Sequence, residues 1–261
     1  MKKRGVQAIL FMLVSCILLS CGVQVQLQTL VPSEVNLRRG TSLRVVKQTR
    51  HPAAQRLENA LYEQLADCGF YTLGGNSAIL AIRHVHRHTQ RYINHTCKAD
   101  EECRCTETVR TDLEATVQLE HQGQILYHRT HSDTSYSHRA DYDALAAAMV
   151  QDLVPRAVWY SERVKPADGN ETLRAAAKAC ANGDWQTGDV LVRRSLQEFP
   201  QDAEAYYLLG LIERNNRNFG ASDAHFRQAY SLRADAKYSD AISRNARLEQ
   251  DEAAARAQLN E

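Results

Sequence analysis

The sequence of 261 residues lacks several features that mark well-known classes of protein. Lysine and arginine number 32 against 31 aspartate and glutamate, so no excess of one charge points to nucleic acid as a partner. No phosphate-binding glycine loop and no dinucleotide-binding glycine pattern occurs. Ser132, Ser135 and Ser137 lie near His131 and Asp133, but no nucleophile-elbow glycine pattern surrounds them. We therefore expect neither an enzyme nor a bound cofactor.

A long apolar run occurs only at the N-terminus, so any membrane attachment is expected there. Cationic residues open the chain, an apolar stretch from Val6 to Leu19 follows, and Leu18-Leu19-Ser20-Cys21-Gly22 closes it. This layout is typical of a secretory signal peptide, because the stretch is short for a membrane-spanning helix. Leu-Leu-Ser-Cys resembles the lipobox of bacterial lipoproteins, in which the cysteine becomes the lipidated N-terminus of the mature chain.

The lipobox resemblance implies that residues 1–20 are removed and that Cys21 carries the lipid, with acyl chains such as palmitate. Leu13-Val14-Ser15-Cys16 matches the same pattern, but it leaves an apolar stretch of only about 8 residues. An ordinary signal peptide, or a short anchor helix with a chance cysteine at its end, is the alternative. Gly22 after the cysteine, with no aspartate there, is compatible with an outer-membrane position facing the periplasm.

Changes of periodicity divide the remaining chain into four parts: a tether over 21–39, a mixed domain over 40–164, a linker over 165–170 and a helical domain over 171–261. The mixed domain has the element order β-α-β-β-β-β-α. It predicts an α+β fold with one layer of mainly antiparallel sheet and two helices. Pro155 is expected to kink or divide the second helix, whose pattern continues to Trp159. The layout resembles the periplasmic α/β domains of envelope lipoproteins, such as those that activate penicillin-binding proteins or work in curli and polysaccharide export.

Two units spaced 34 residues apart follow the linker, with Gly183-Asp184-Trp185 aligned to Arg217-Asn218-Phe219. They resemble the tetratricopeptide repeat, a helix pair with an aromatic residue at the turn and small residues where the helices touch. Gly188 and Gly210 are two of those small residues, and Phe199-Pro200 ends the first unit. Ala175-Ala176 and Ala234 depart from the family pattern, and a helical hairpin bundle without a binding role is the alternative. A helix over about 236–259 is expected to cap the second unit.

The repeat resemblance implies that the first helix of each pair lines a groove for a partner segment. By register, the lining residues are Leu173, Ala177, Ala181, Tyr207, Leu211, Arg214 and Asn215. The sequence thus predicts a membrane-anchored periplasmic adaptor or scaffold. Its expected partners are an envelope protein or peptide, and the bilayer through the anchor.

Histidine and cysteine concentrate between residues 84 and 105. His84-Val85-His86-Arg87-His88 is followed by His95, Cys97, Cys103 and Cys105. A disulfide from Cys97 to Cys103 or Cys105 is the preferred interpretation, because an oxidising compartment favours it and the Cys-x2-Cys spacing of a zinc knuckle is missing. The alternatives are a metal site drawn from His84, His86, His95, Cys103 and Cys105, which would make a metal- or redox-responsive envelope protein, and a solvated histidine face.

Overall fold

The computed structural model describes residues 22–96, 104–137 and 139–259, and of residues 94–96 and 104–106 it describes the backbone alone. The predicted lipidation site Cys21, and Cys97 and Cys103 of the predicted disulfide, lie outside the described residues. The fold contains both helices and strands and divides into two compact units. We call residues 22–30 with Ala157–Glu252 the helical unit, and Val31–Arg156 with Ala253–Glu261 the sheet unit.

Helices and strands alternate irregularly along the chain. In chain order they are β1 (Val23–Val31), β2 (Ser42–Lys47), α1 (Pro52–Cys68), β3 (Thr72–Leu73), β4 (Ala78–Thr96), β5 (Arg104–His121), β6 (Gln124–Ser135), α2 (Tyr142–Leu153), β7 (Arg156–Val164), α3 (Glu171–Ala181), α4 (Trp185–Glu198), α5 (Ala203–Asn215), α6 (Phe219–Leu232) and α7 (Ala236–Leu259).

The sheet unit contains a five-stranded sheet in the order β3-β2-β4-β5-β6. Strand β2 runs parallel to β3 and β4, whereas β4, β5 and β6 form an antiparallel meander. Leu113, Ala115, Val117 and Leu119 of β5 are all buried on one face, as the alternation of apolar and polar residues along this strand indicates. The sheet unit therefore has the predicted α+β character.

Helices α1 and α2 contribute to the core of the sheet unit. Pro52 opens α1, where its missing N–H is not needed, and Gly69 ends the helix in a left-handed conformation at φ 59°. The Asp141 carboxylate accepts a hydrogen bond of 2.9 Å from the Ala144 N–H and so caps α2. Leu57 of α1 and Met149 of α2 are fully buried in the same cluster as β5.

The predicted continuation of α2 to Trp159 is wrong. Helix α2 ends at Leu153, Pro155 follows, and β7 begins at Arg156. Exposed and partly buried side chains alternate along β7, and Trp159 is 64% exposed. Proline lacks the N–H that the next helical turn requires, and the residues after it have the two-residue period of a strand.

A strand also occupies nine residues of the predicted tether. Val25, Leu27 and Thr29 of β1 are buried, the intervening glutamines are not, and β1 pairs with β7 in a two-stranded sheet. Gly22 packs so closely that a Cβ on it would come within 2.6 Å of the Val164 carbonyl oxygen. The alternation of valine with glutamine is short and directly follows the predicted signal segment, so the sequence pattern alone does not identify the strand.

Helices α3 with α4 and α5 with α6 form two antiparallel pairs in the helical unit, and α7 follows them. Asn170, Asp184 and Asp202 cap α3, α4 and α5 through side-chain oxygens that accept backbone N–H groups at 2.9 to 3.0 Å. A Cβ on Gly188 would come within 2.2 Å of Cys180 Sγ, which confirms close helix approach there. No helix in the described ranges combines the length and apolarity needed to cross a membrane.

Candidate functional site

The residues predicted to line a partner groove are mostly buried within the helical unit. Arg214 is 1% exposed, Ala181 and Asn215 are partly buried, and the others are fully buried: Leu173, Ala177, Tyr207 and Leu211. Side chains that are covered in this way contact the protein itself. In this fold they do not form an open groove.

Strand β7 and helix α7 contact the inner face of α5. The Tyr207 hydroxyl donates to Glu162 Oε2 at 2.8 Å. Arg214 donates from Nε to Asn245 Oδ1 at 3.1 Å and from Nη2 to the Ala241 carbonyl at 2.8 Å. The strand that precedes the helix pairs and the helix that follows them thus fill the space that a partner would need, and the spacing within the repeat pattern contains no signal of these contacts.

The buried Arg214 guanidinium is held by charge and by an aromatic ring. Its centre lies 4.6 Å from the Phe226 ring centroid, and Nη1 lies 3.5 Å from Glu162 Oε1. Burial, followed by the Glu162 carboxylate, raises the pKa of Tyr207. Arg214 and Tyr207 therefore hold β7 against the helices.

A second charge cluster surrounds the buried Glu204 in the first turn of α5. The Glu204 carboxylate accepts hydrogen bonds from Arg233, Lys237 and Tyr238 at 2.7 to 2.9 Å. Burial lowers the pKa of Lys237, although Glu204 opposes that shift. Burial is also the main reason that the pKa of Tyr238 is raised. The cluster is fully paired, which is typical of a structural network.

An open cleft of about 620 Å³ lies where the linker, the α4–α5 turn and the end of α6 meet. We call it the turn cleft. Phe199, 43% exposed, and Pro200 give it apolar surface, and three acidic side chains lie on its lining. Its complete lining is Ala167, Asp168, Asn170, Glu198, Phe199, Pro200, Gln201, Asp202, Ala203, Leu232 and Arg233.

The polar groups of the turn cleft differ in how far the protein already uses them. Asn170 donates to Asp202 at 2.8 Å, and Arg233 donates to Glu204 at 2.7 Å. Asp168 and Glu198 are exposed on the chain surface, and Glu198 lies 3.6 Å from Arg194 of the same helix. The cleft therefore offers apolar contact beside carboxylates. The sequence contains a signal for it, because Phe199-Pro200 marks the end of the first repeat unit.

The histidine-rich strand places His84, His86 and His88 on one face of β4, all exposed. The rings of His86 and His88 are stacked with centroids 6.4 Å apart. Among the residues whose side chains are described, no group of three or more His, Cys, Asp or Glu residues could hold a metal ion. The structure thus brings His84 and His86 to one surface without completing a site.

The remaining parts of the metal and disulfide predictions fall in the loop region. Backbone pairing places His95 opposite Cys105, but their side chains, like all of Cys103 and Cys97, lie outside the described residues. Cys68 and Cys180 are both free thiols. Cys180 is buried and packs against Gly188, whereas Cys68 is exposed.

No protein-family model matches the sequence, and no curated protein matches it. Among solved structures, the chain is similar to a PelC dodecamer from Paraburkholderia phytofirmans, with 16% identity and a TM-score of 0.31, over 50% of this chain and 96% of that one. A minor lipoprotein from Acinetobacter baumannii gives 13% identity and a TM-score of 0.26, over 62% and 95%. A PDZ domain protein from Parabacteroides distasonis gives 9% and 0.23, over 53% and 40%. Likeness at these scores carries no argument about function.

Proposed function

We propose that this chain is a non-catalytic, lipid-anchored adaptor of the bacterial cell envelope. Cys21 holds it at the outer membrane facing the periplasm, and the tetratricopeptide-like helical unit binds another envelope protein. The turn cleft is the observation that carries the proposal, because it is a concave, partly apolar surface on helix pairs whose inner face is already occupied.

Packing between the helices supports the tetratricopeptide-like interpretation of this unit. Gly188 lies against Cys180 of the paired helix, and Gly210 lies against Phe226 of its own pair. Ser222 is buried and donates to the Gly210 carbonyl at 2.8 Å. These small residues occupy the positions at which the repeat pattern requires close helix approach.

The partner in this proposal is a protein segment that presents an apolar side chain next to lysine or arginine. Phe199 provides apolar contact area, and aromatic residues are enriched among those that dominate binding energy. Asp168, Glu198 and Asp202 surround it with negative charge, while the one cation of the lining, Arg233, is bonded to Glu204. Charge complementarity favours a basic partner segment over an acidic one.

Affinity capture from crosslinked membranes tests this surface. A Phe199→Ala/Asp168→Lys variant is compared with Tyr230→Ala/Asp240→Lys, a control in which the aromatic residue is also 43% exposed. We expect the cleft variant to lose about tenfold or more of a specific envelope partner and the control to retain it. Equal recovery of every specific partner by both variants would contradict the proposal.

The anchor is tested separately by incorporation of labelled fatty acid into the full chain. We expect Cys21→Ala to abolish labelling and Cys16→Ala to leave it intact. Labelling that persists in Cys21→Ala moves the lipid to another residue. Loss of labelling only in Cys16→Ala reverses the assignment of the two candidate sites.

A further inference from the structure

One edge of β4 loses its neighbouring strand partway along its length. Strand β2 pairs with β4 only from Ala78 to Ile82, whereas β5 pairs with β4 as far as Thr96. Within residues 22–96, 104–137 and 139–259, no strand pairs with the other edge of β4 beyond Ile82. We call Arg83–Ile93, the part of this edge whose side chains are described, the β4 free edge.

The free edge begins there because β2 turns away. The Gln48 N–H donates to the Ile82 carbonyl at 2.9 Å, and the chain then leaves the sheet to enter α1. The register of β4 against β5 shifts between Ile82 and His84, a local irregularity of the kind that redirects a strand. Beyond it, backbone groups on one side of β4 have no strand to bond with in the described residues.

Every titratable side chain on the β4 free edge, tyrosine aside, is cationic or can become so. They are Arg83, His84, His86, Arg87, His88 and Arg91, all exposed. The nearest carboxylates belong to β5. Glu107 lies 3.6 Å from Arg91, and Asp112 lies 2.9 Å from Arg110 of its own strand. Glu114 lies opposite His86 in the same register. The edge itself has no acidic residue.

The far end of the β4 free edge adds apolar surface. Tyr92 is 43% exposed and Ile93 is 63% exposed. Successive residues of a strand point to opposite faces, so the two side chains flank the edge from both sides. An occupant thus meets arginine and histidine side chains along most of the edge and apolar contacts at its end.

We propose that the β4 free edge takes up an extended acidic segment of a partner polypeptide as an additional strand of the sheet. Backbone hydrogen bonds would supply affinity, as in other cases of strand addition, and carboxylates at alternate positions would face Arg87 and Arg91. Charged edges also oppose pairing between copies of the same protein. The positive charges of the β4 free edge therefore disfavour pairing with the same edge of a second copy and favour an acidic segment. This surface belongs to the sheet unit and depends on neither Cys21 nor the turn cleft.

Peptide binding to the full-length mature chain tests the proposal, with fluorescence anisotropy as the measurement. The probe peptide alternates glutamate with valine and threonine over about ten residues, enough to cover the edge at roughly 3.3 Å per residue. One comparison peptide has lysine for every glutamate. The other keeps the glutamates and has proline at alternate positions, which prevents strand pairing. We expect the probe to bind about tenfold tighter or more than either comparison peptide.

Matched charge reversals locate the binding. We expect Arg87→Glu/Arg91→Glu to weaken binding of the probe about tenfold or more, and the equal charge change Arg38→Glu/Arg139→Glu, at exposed positions outside β4, to leave it within about twofold. Amide exchange should slow at those N–H groups of Arg83–Ile93 that point away from β5, and only with the probe. Equal binding of the proline peptide, equal loss in both variants, or no binding at about 1 mM probe in low salt would each overturn the proposal.

Discussion

The Tyr207 hydroxyl donates a hydrogen bond of 2.8 Å to Glu162 and thereby joins the first helix of the second pair to strand β7. Glu162 also accepts from Arg244 of α7 and lies 3.5 Å from Arg214. One carboxylate therefore connects three elements of the helical unit. Substitutions on this face alter the fold of the unit before they alter any binding.

Removing the Tyr207 hydroxyl should destabilise the helical unit. Tyr207→Phe keeps the ring but deprives the partly buried Glu162 of a donor, so we expect the free energy of unfolding to fall by about 1–2 kcal/mol. Tyr230→Phe removes a hydroxyl from a partly exposed ring and should change it by less than about 0.5 kcal/mol. Urea denaturation of both variants measures the difference. Equal stability of the two variants would show that the Glu162 contact contributes little.

The packing of Gly210 should tolerate no added methyl group. A Cβ there would come within 2.4 Å of the buried Phe226 ring, so Gly210→Ala should cost about 1–3 kcal/mol. Gly220 of α6 has open space around it, and Gly220→Ala should stabilise by about 0.5–1 kcal/mol through helix propensity. Thermal unfolding gives both values. A shift of the melting temperature in the same direction for both substitutions would contradict this account.

Stability of the sheet unit should fall as pH falls through the range in which His131 titrates. Burial lowers the pKa of His131, although the Asp152 carboxylate 3.6 Å away partly opposes the shift. Arg129 also lowers this pKa, and Glu34 raises it. Because the unfolded histidine binds its proton near pH 6.5 and the folded one binds it only at lower pH, stability is lost below about pH 6.5 and not above.

Unfolding followed from pH 8 to pH 5 measures this dependence. We expect His131→Gln to reduce the loss of stability below about pH 6.5. Exposed His128→Gln on the same strand controls for removal of an imidazole. A His131→Gln protein that loses stability over the same interval, and by the same amount, as the parent would assign the effect elsewhere.

Cys180 should be inert in the folded protein. It is buried, and burial, followed by Asp184, raises the pKa of its thiol to about 12. The thiolate is the reactive form, so alkylation at pH 8 should modify exposed Cys68 orders of magnitude faster. Mass spectrometry of the peptides resolves the two sites, and denaturant should equalise their rates. Rapid native labelling of Cys180 would contradict its buried position.

Local sequence patterns predict much of this fold because many of its helices and turns are determined by residues close together in sequence. The hairpin of β5 and β6 follows from alternation around Gly123, and α1 follows from Pro52 and a helical run of leucines. The helix pairs follow from small residues at fixed spacing. The end of α2 was misplaced because the apolar period continues across Pro155, and a helix and a strand can share an apolar run of that length.

The candidate site was harder to predict because it depends on contacts between residues far apart in sequence. Tyr207 and Arg214, which the repeat pattern predicts to line a groove, lie on α5 and are both buried. Glu162 and Asn245 cover them from other parts of the chain, and the local spacing of residues does not predict these long-range contacts. The β4 free edge was likewise hidden, since it arises from where β2 stops pairing.

The position of β1 sets how far an anchored protein could reach. Strand β1 begins at Val23 and Gly22 already packs against Val164, so one step of backbone, about 3.8 Å, separates the predicted lipidation position from folded structure. A flexible tether over residues 21–39 would instead extend to about 60 Å. If Cys21 is acylated as proposed, the folded protein is held close to the bilayer that carries the lipid, and a partner has to reach it there.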